Sequence, residues 1–157
     1  MSDPLITVVM PAFNAQGTIR RAIESILEGT WKKVELIVVD DGSTDKTAKV
    51  VKSIKDVRLV EAPHRGVAGA MNTAVAESNT NLIARMDADD ISHPRRLELQ
   101  VELLESQQLD IVGGKVGIID QDGNPVPSMQ RYERWVNSCL THEQIMAQRF
   151  IESPLVH

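Results

Sequence analysis

Short apolar runs alternate with helical stripes along the first two thirds of the chain. Residues 6–10 form a β-branched run that ends at Pro11, and residues 34–39 form a second that ends at Asp40-Asp41-Gly42. Weaker runs lie at 57–60 and 82–86. Between them, Ile19, Ala22, Ile23, Ile26 and Leu27 recur at helical spacing. Ser43 reads as the N-cap, with Asp45 in the first turn, of a helix that runs to about Ile54. Ala68, Met71 and Val75 mark a third helix after Gly66, and Leu97, Val101 and Leu104 a fourth, with Pro94 in its first turn. Strand–helix alternation of this kind requires crossover connections, and so predicts an α/β fold with a mainly parallel sheet and helices on both faces.

The pattern weakens afterwards. Residues 111–119 are apolar but carry Gly113, Gly114 and Gly117, a density that predicts a bulge or a close backbone approach rather than a regular core strand. Asp122-Gly123 is a hairpin-type turn signal. Residues 125–135 lack periodicity and read as a loop, and Thr141 with Gln144 reads as a capping box for a fifth helix.

A chain of 157 residues, 42% hydrophobic and 25% charged, is expected to form one globular domain over residues 1–157. Its net charge of −5 argues against general nucleic-acid binding, which needs a basic face to displace counterions. Cys139 is the single cysteine, so the chain forms no internal disulfide and suits a reducing compartment. No basic and then apolar leader opens the sequence, and no apolar run reaches the roughly 20 residues that span a bilayer. The expected location is the cytoplasm, including the inner face of the membrane, with membrane association arising only through a longer parent chain.

In open parallel sheets, ligands bind beyond the carboxyl ends of the strands. That rule selects Pro11-Ala12-Phe13-Asn14, Asp40-Asp41-Gly42-Ser43, His64-Arg65-Gly66 and Asp87-Ala88-Asp89-Asp90. Three carboxylates in the last segment repel one another unless a cation is present, and oxygen ligands of this kind suit Mg2+ or Mn2+ together with substrate phosphates. Asp90 or Ser92 could instead cap the helix at Pro94. Asp40 and Asp41 could accept hydrogen bonds from a base imide or ribose, or could belong to a tight turn that Gly42 permits. Arg65 beside a helix N-terminus suits a phosphate or a base edge, although a surface arginine next to a turn glycine reads the same way. His64 is expected to be a surface or capping histidine. Arg95 and Arg96 oppose the dipole of the helix they open, which calls for anionic partners. Trp31 and Trp135 are candidate sugar platforms or loop-packing residues.

Val8-Val9-Met10-Pro11-Ala12-Phe13-Asn14, then Val38-Val39-Asp40-Asp41-Gly42-Ser43-Thr44-Asp45, Arg65-Gly66-Val67-Ala68 through Asn72, Asp87-Ala88-Asp89-Asp90, and Pro94 with Arg96-Leu97 together resemble the ordered motifs of family 2 glycosyltransferases. The resemblance covers residues 5–157. It implies a GT-A (Rossmann-like) fold, a nucleotide-diphospho-sugar donor with UDP favoured, a divalent metal, and transfer to a sugar, lipid or protein acceptor with inversion, as in polysaccharide biosynthesis. Carried over by position, Pro11, Ala12, Phe13 and Asn14 line the base pocket. Asp41, with Asp40, contacts the base, and Arg65 lies near base or phosphates. Asp87 faces the ribose or metal, Ala88 is counted with the donor-binding residues, and Asp89, with Asp87, binds the metal of this DxD motif. Arg95 departs from the acidic residue that many members carry there. No catalytic base is assigned: the family's base is expected beyond His157, and 152–157 resembles the strand that enters the acceptor side. The chain thus reads as the donor half of a longer enzyme, expected to bind nucleotide with little or no turnover.

Three other readings compete. A phosphoacceptor signalling domain wants its acidic pair after the first strand, where this chain has Pro11 to Asn14. A sugar nucleotidyltransferase wants a glycine-rich basic loop there, and residues 11–16 contain neither glycine nor a basic residue. A non-catalytic nucleotide-binding or scaffolding remnant of the same fold is the alternative that the sequence leaves open.

Overall fold

A computed structural model of the chain describes residues 5–148. They fall into two compact units, divided between Leu99 and Gln100.

The first unit is built on four parallel strands: β1 (Ile6–Ala12), β2 (Val34–Asp40), β3 (Val57–Glu61) and β4 (Leu82–Arg85), in the order β3-β2-β1-β4. The register runs from Ile6↔Val34 to Ala12↔Asp40 between β1 and β2. All seven residues of β1 are buried, as expected of a central parallel strand covered on both faces. On one face, Val9, Ile37 and Val39 pack with Ala70 and Ala74 of α3 (Gly66–Glu77). The two alanines are one helical turn apart, and their small side chains let that helix lie close to the sheet. On the opposite face Val8, Met10, Leu36 and Val38 are equally inaccessible. α1 (Ile19–Leu27) buries Ile19, Ala22, Ile23 and Ile26, the stripe that the sequence predicts.

Several boundaries differ from the sequence reading. Ser43 caps no helix, because its Oγ accepts the Asn14 N–H at 2.9 Å. α2 (Thr47–Lys52) begins four residues later and stops short of Ile54. Asp45 lies before the helix rather than in its first turn, and its Oδ1 accepts the Thr47 N–H at 2.8 Å. α4 (Arg96–Gln107) starts two residues after Pro94, with Leu97 and Val101 buried.

In the second unit, residues 111–118 form no strand. Their backbone is held by side chains instead. Asn137 accepts the Val116 N–H at 2.8 Å and donates to the Val116 carbonyl at 2.7 Å, and Glu133 accepts the Ile118 N–H at 2.7 Å. The close backbone approach expected at the glycines is not found there: a Cβ on Gly117 would meet nothing within 4 Å, and one on Gly114 only Gln100 Nε2 at 3.7 Å. The Asp122-Gly123 turn forms with Gly123 at φ +87° and closes an antiparallel bridge from Ile119 to Pro125. The expected loop at 125–135 is a 3₁₀ turn (Pro127–Met129) followed by α5 (Gln130–Val136). That helix buries only Val136, so it leaves no apolar stripe to read. Thr141 and Gln144 make the predicted capping box at α6 (His142–Gln148), with reciprocal bonds of 3.0 and 3.3 Å. The strand expected at 152–157 lies outside the described residues.

Candidate functional site

The chain order β1, β2, β3 steps outward on one side, and β4 then returns to the other side of β1. This reversal opens a crevice at the carboxyl ends of β1 and β4, where doubly wound sheets bind ligands. A cleft of about 480 Å³ lies there, within the usual range for a small-molecule site. It is lined by Pro11 to Ala15, Thr18, Asp41, His64, Gly66, Val67, Ala70 and Asp87 to Asp89. Of the residues singled out from sequence, Pro11, Ala12, Phe13, Asn14, Asp41, Asp87, Ala88 and Asp89 meet in it. Asp40 and Arg65 are not among the lining residues.

The loop after β1 is stitched to the loop after β2. The Asn14 N–H donates to Ser43 Oγ, the Ala15 N–H to Thr47 Oγ1 at 2.8 Å, and the Gln16 N–H to Asp45 Oδ2 at 3.1 Å. Asn14 Oδ1 accepts the Thr44 N–H in return at 2.9 Å, and Asn14 itself adopts φ +50°, a conformation asparagine tolerates. Burial pushes the Asp45 carboxyl up, but hydrogen bonds from the Thr47 hydroxyl, the Thr47 N–H and the Gln16 N–H outweigh it and leave the group below its ordinary 3.8. A depressed carboxyl stabilises the fold above its ordinary value, and that contribution disappears as pH falls through the folded value. Acidification below about pH 4 is therefore expected to loosen this lacing first, seen as loss of amide-exchange protection at Gln16 and Thr47 before the strands lose theirs.

Asp40 closes the turn after β2, its Oδ1 accepting the Ser43 N–H at 3.0 Å. Asp41 is 3% exposed and faces the 64–66 turn. Its Oδ1 accepts the Arg65 N–H at 2.8 Å and its Oδ2 the Gly66 N–H at 2.9 Å, at the start of α3. His64 Nδ1 lies 2.8 Å from Asp41 Oδ2 and 3.0 Å from the Asp41 carbonyl oxygen. The histidine expected at the surface is indeed exposed and also lines the cleft, its ring 4.5 Å from that of Phe13 at an interplanar angle of 31°. Its position beyond β3 was the available signal.

Gly42 and Gly66 share φ +76°, but a Cβ on Gly42 would lie 3.1 Å from the His64 nitrogen, whereas one on Gly66 would meet open space. Alanine at Gly66 is expected to cost about 1 kcal/mol through conformation alone, and at Gly42 about 2–3 kcal/mol because the backbone must also move. Urea denaturation of the two variants checks the order.

At β4, Arg85 Nε and Nη2 reach Asp87 Oδ1 at 3.2 and 3.1 Å. The Arg96 guanidinium donates to the Arg85 carbonyl at 2.7 Å and lies 3.2 Å from Met86 Sδ. Burial holds its pKa below the ordinary arginine value, opposed by attraction to Asp90 and Asp87, and it remains a cation at neutral pH. This supplies the anionic partners that a cation at a helix N-terminus calls for. Arg95 pairs instead with Glu98 at 3.1 Å. Trp31 is outside the cleft, and Trp135 packs near Tyr132 in the second unit.

Asp89 is exposed at the cleft and bonds to none of the described residues. Among the described residues no three His, Cys, Asp or Glu side chains come together as a metal cage. Asp87 and Asp89 nevertheless both open on the cleft. Two carboxylates fit Mg2+ or Mn2+ of the kind that completes its shell with substrate phosphates and water.

The fold defines the class first. Residues 1–349 of TarS from S. aureus superpose with a TM-score of 0.67 at 21% identity, over 78% of this chain and 38% of that one. Glucosyl-3-phosphoglycerate synthase from Mycobacterium tuberculosis, in complex with Mn2+, UDP and glucosyl-3-phosphoglycerate, gives 0.56 at 31% identity over 64% and 39%. The fold is GT-A. The family model for glycosyl transferase family 2 matches residues 7–155, and the chain belongs to that family. A UDP-Glc:alpha-D-GlcNAc-diphosphoundecaprenol beta-1,3-glucosyltransferase of Escherichia coli, WfgD, is 35% identical over 125 residues, 78% of this chain and 49% of that protein. The succinoglycan biosynthesis protein ExoO of Rhizobium meliloti is 37% identical over 123 residues, 76% and 35%. The chain spans about half the length of the curated relatives that match it first, at 49%, 46% and 52%. No helix among the described residues is long and apolar enough to cross a membrane.

Proposed function

We propose that the cleft is the donor site of a glycosyltransferase that takes a nucleoside-diphospho-sugar, UDP-sugar above others, and transfers the sugar to an acceptor hydroxyl with inversion. The observation that carries this reading is the meeting of Asp87 and Asp89 with the loops after β1, β2 and β3 at the one crevice where the strand order reverses. The UDP complexes of the M. tuberculosis synthase and of TarS support the choice of nucleotide.

In this reading Pro11 to Asn14 wall the base and ribose, and Asp41 keeps the 64–66 turn in place against them. Asp89, with Asp87, holds a divalent cation, and Arg85 and Arg96 keep the β4 end from shifting under the charge. A bound Mn2+ or Mg2+ supplies positive charge that stabilises the departing diphosphate. No general base is assigned to the described residues. The WfgD name, which specifies a diphosphoundecaprenol-linked sugar, makes a lipid-linked sugar the favoured acceptor class and the inner face of the membrane the favoured place.

Calorimetric titration of the chain with UDP, in Mn2+ and then in chelator, tests this. Binding that weakens at least tenfold in chelator is expected. Failure of UDP, GDP and dTDP alike to bind with Mn2+ present would contradict it.

A further inference from the structure

Asp87, Asp89 and Asp90 crowd the segment after β4, and carboxylates so close together call for positive charge. Two guanidinium groups of this chain already supply it in part. Arg85 Nε and Nη2 both donate to Asp87 Oδ1, at 3.2 and 3.1 Å, and Nη2 reaches Oδ2 at 3.5 Å. The two side chains are 31% and 30% exposed, so water screens the pair only in part. Arg96 anchors the Arg85 carbonyl at 2.7 Å and is attracted to Asp90 and Asp87. Asp87 is thus set by the Arg85 side chain, and the backbone that carries Arg85 is set by Arg96.

Arg95 is paired with Glu98 and adds no net charge. Three aspartates against Arg85 and Arg96 leave the segment with one net negative charge. A divalent cation arriving alone therefore meets one uncompensated charge rather than three. Asp89, which bonds to none of the described residues, is the carboxylate that no guanidinium of this chain holds.

We infer that Arg85 is a built-in counter-cation for the Asp87–Asp89 pair: a positioning residue that orders Asp87 in the metal-free chain and lowers the pair's affinity for a bare divalent ion. The further negative charge that a tightly held ion needs then comes with the donor's diphosphate. The inference rests on the donor-site reading above. An arginine with a purely structural role has a different consequence: its loss disturbs Asp87 and weakens metal and nucleotide together. Loss of a counter-cation instead strengthens the attraction for a cation.

The test is the binding of Mn2+ alone, read from the electron paramagnetic resonance of the free ion, to wild type, Arg85→Gln and Arg85→Lys. Asp89→Ala supplies the baseline for Mn2+ held elsewhere on a chain of net charge −5. Arg85→Gln is expected to bind the ion about tenfold more tightly than wild type, the order of effect of one unit charge a few ångströms away in a partly solvated site. Arg85→Lys keeps the charge without the planar fork, and is expected to stay within about threefold of wild type. A readout on the wild type needs no variant: the Arg85 Nε–H is expected to be protected from exchange in chelator, and its ¹⁵N signal to shift when Mg2+ and UDP are added. Calorimetry with UDP and Mn2+ on the wild type shows separately whether the donor site stands. Where it does, three results overturn the role of Arg85: an Arg85→Gln chain that binds Mn2+ no more tightly than wild type, an Arg85→Lys chain that gains as much as Arg85→Gln, or an unprotected Arg85 Nε–H. Failure of UDP, GDP and dTDP alike to bind the wild type with Mn2+ present overturns the donor-site reading, and this inference with it.

Discussion

Asp89→Ala is expected to weaken UDP binding in Mn2+ by about 100-fold or more, close to 3 kcal/mol. Removing even the outer hydrogen-bonding partners of a metal site costs roughly 10–100-fold in affinity, and Asp89 is one of the two carboxylates, with Asp87, that the proposal assigns to the ion. The loss has a ceiling: the variant in Mn2+ is expected to bind UDP as the wild type does in chelator, and chelator is expected to change the variant little. Its thermal midpoint is expected to stay within about 2 °C of wild type, because an exposed surface carboxylate without partners among the described residues contributes little to the fold. Calorimetry on the two chains, with and without chelator, separates these outcomes. An Asp89→Ala chain that keeps wild-type affinity in Mn2+ removes this carboxylate from the metal assignment.

Asp41→Ala is expected to act in the opposite way, on stability first. The substitution leaves the Arg65 and Gly66 N–H groups without their acceptor at the start of α3 and leaves the His64 ring only the backbone carbonyl of residue 41. Lost helix capping costs about 0.5–2 kcal/mol, and orphaned buried donors add a similar amount each. A total of about 2–4 kcal/mol lowers the melting midpoint by on the order of 10 °C. Asp41→Asn is expected to recover less than half of this, since its amide can present one acceptor to the turn while its N–H₂ faces a second donor. Thermal unfolding followed by circular dichroism measures both. A midpoint unchanged in Asp41→Ala would mean that the 64–66 turn holds itself.

The difference between the two aspartates bears on how much of the site the sequence displays. The four strands were legible as short apolar runs, strong in β1 and β2 and weaker in β3 and β4, where Arg58 and Arg85 interrupt or end them, and the site's position followed from where the runs end. The capping box at Thr141 was legible because a cap is a local exchange between residues three apart. The bonds from Asp41 to the 65–66 turn were not, because those partners lie more than twenty positions away and a carboxylate that reads a base looks the same in sequence as one that ties down a turn. Ser43 misled for the same reason: its side chain can cap the following helix or bond to Asn14, and only the packing of β1 beside β2 decides. The helix at Gln130–Val136 escaped notice because one buried residue makes no stripe.

The account stands most directly on where the nucleotide sits. Amide chemical-shift mapping of the ¹⁵N-labelled chain during UDP addition with Mg2+ reads that position without depending on turnover. The expected perturbations gather at residues 12–15, 41, 64–67 and 87–89, in the strand-end segments that line the cleft, with the far ends of the same strands unmoved. Saturating UDP that leaves those amides in place, or that shifts a different surface, contradicts the assignment of this cleft as the donor site.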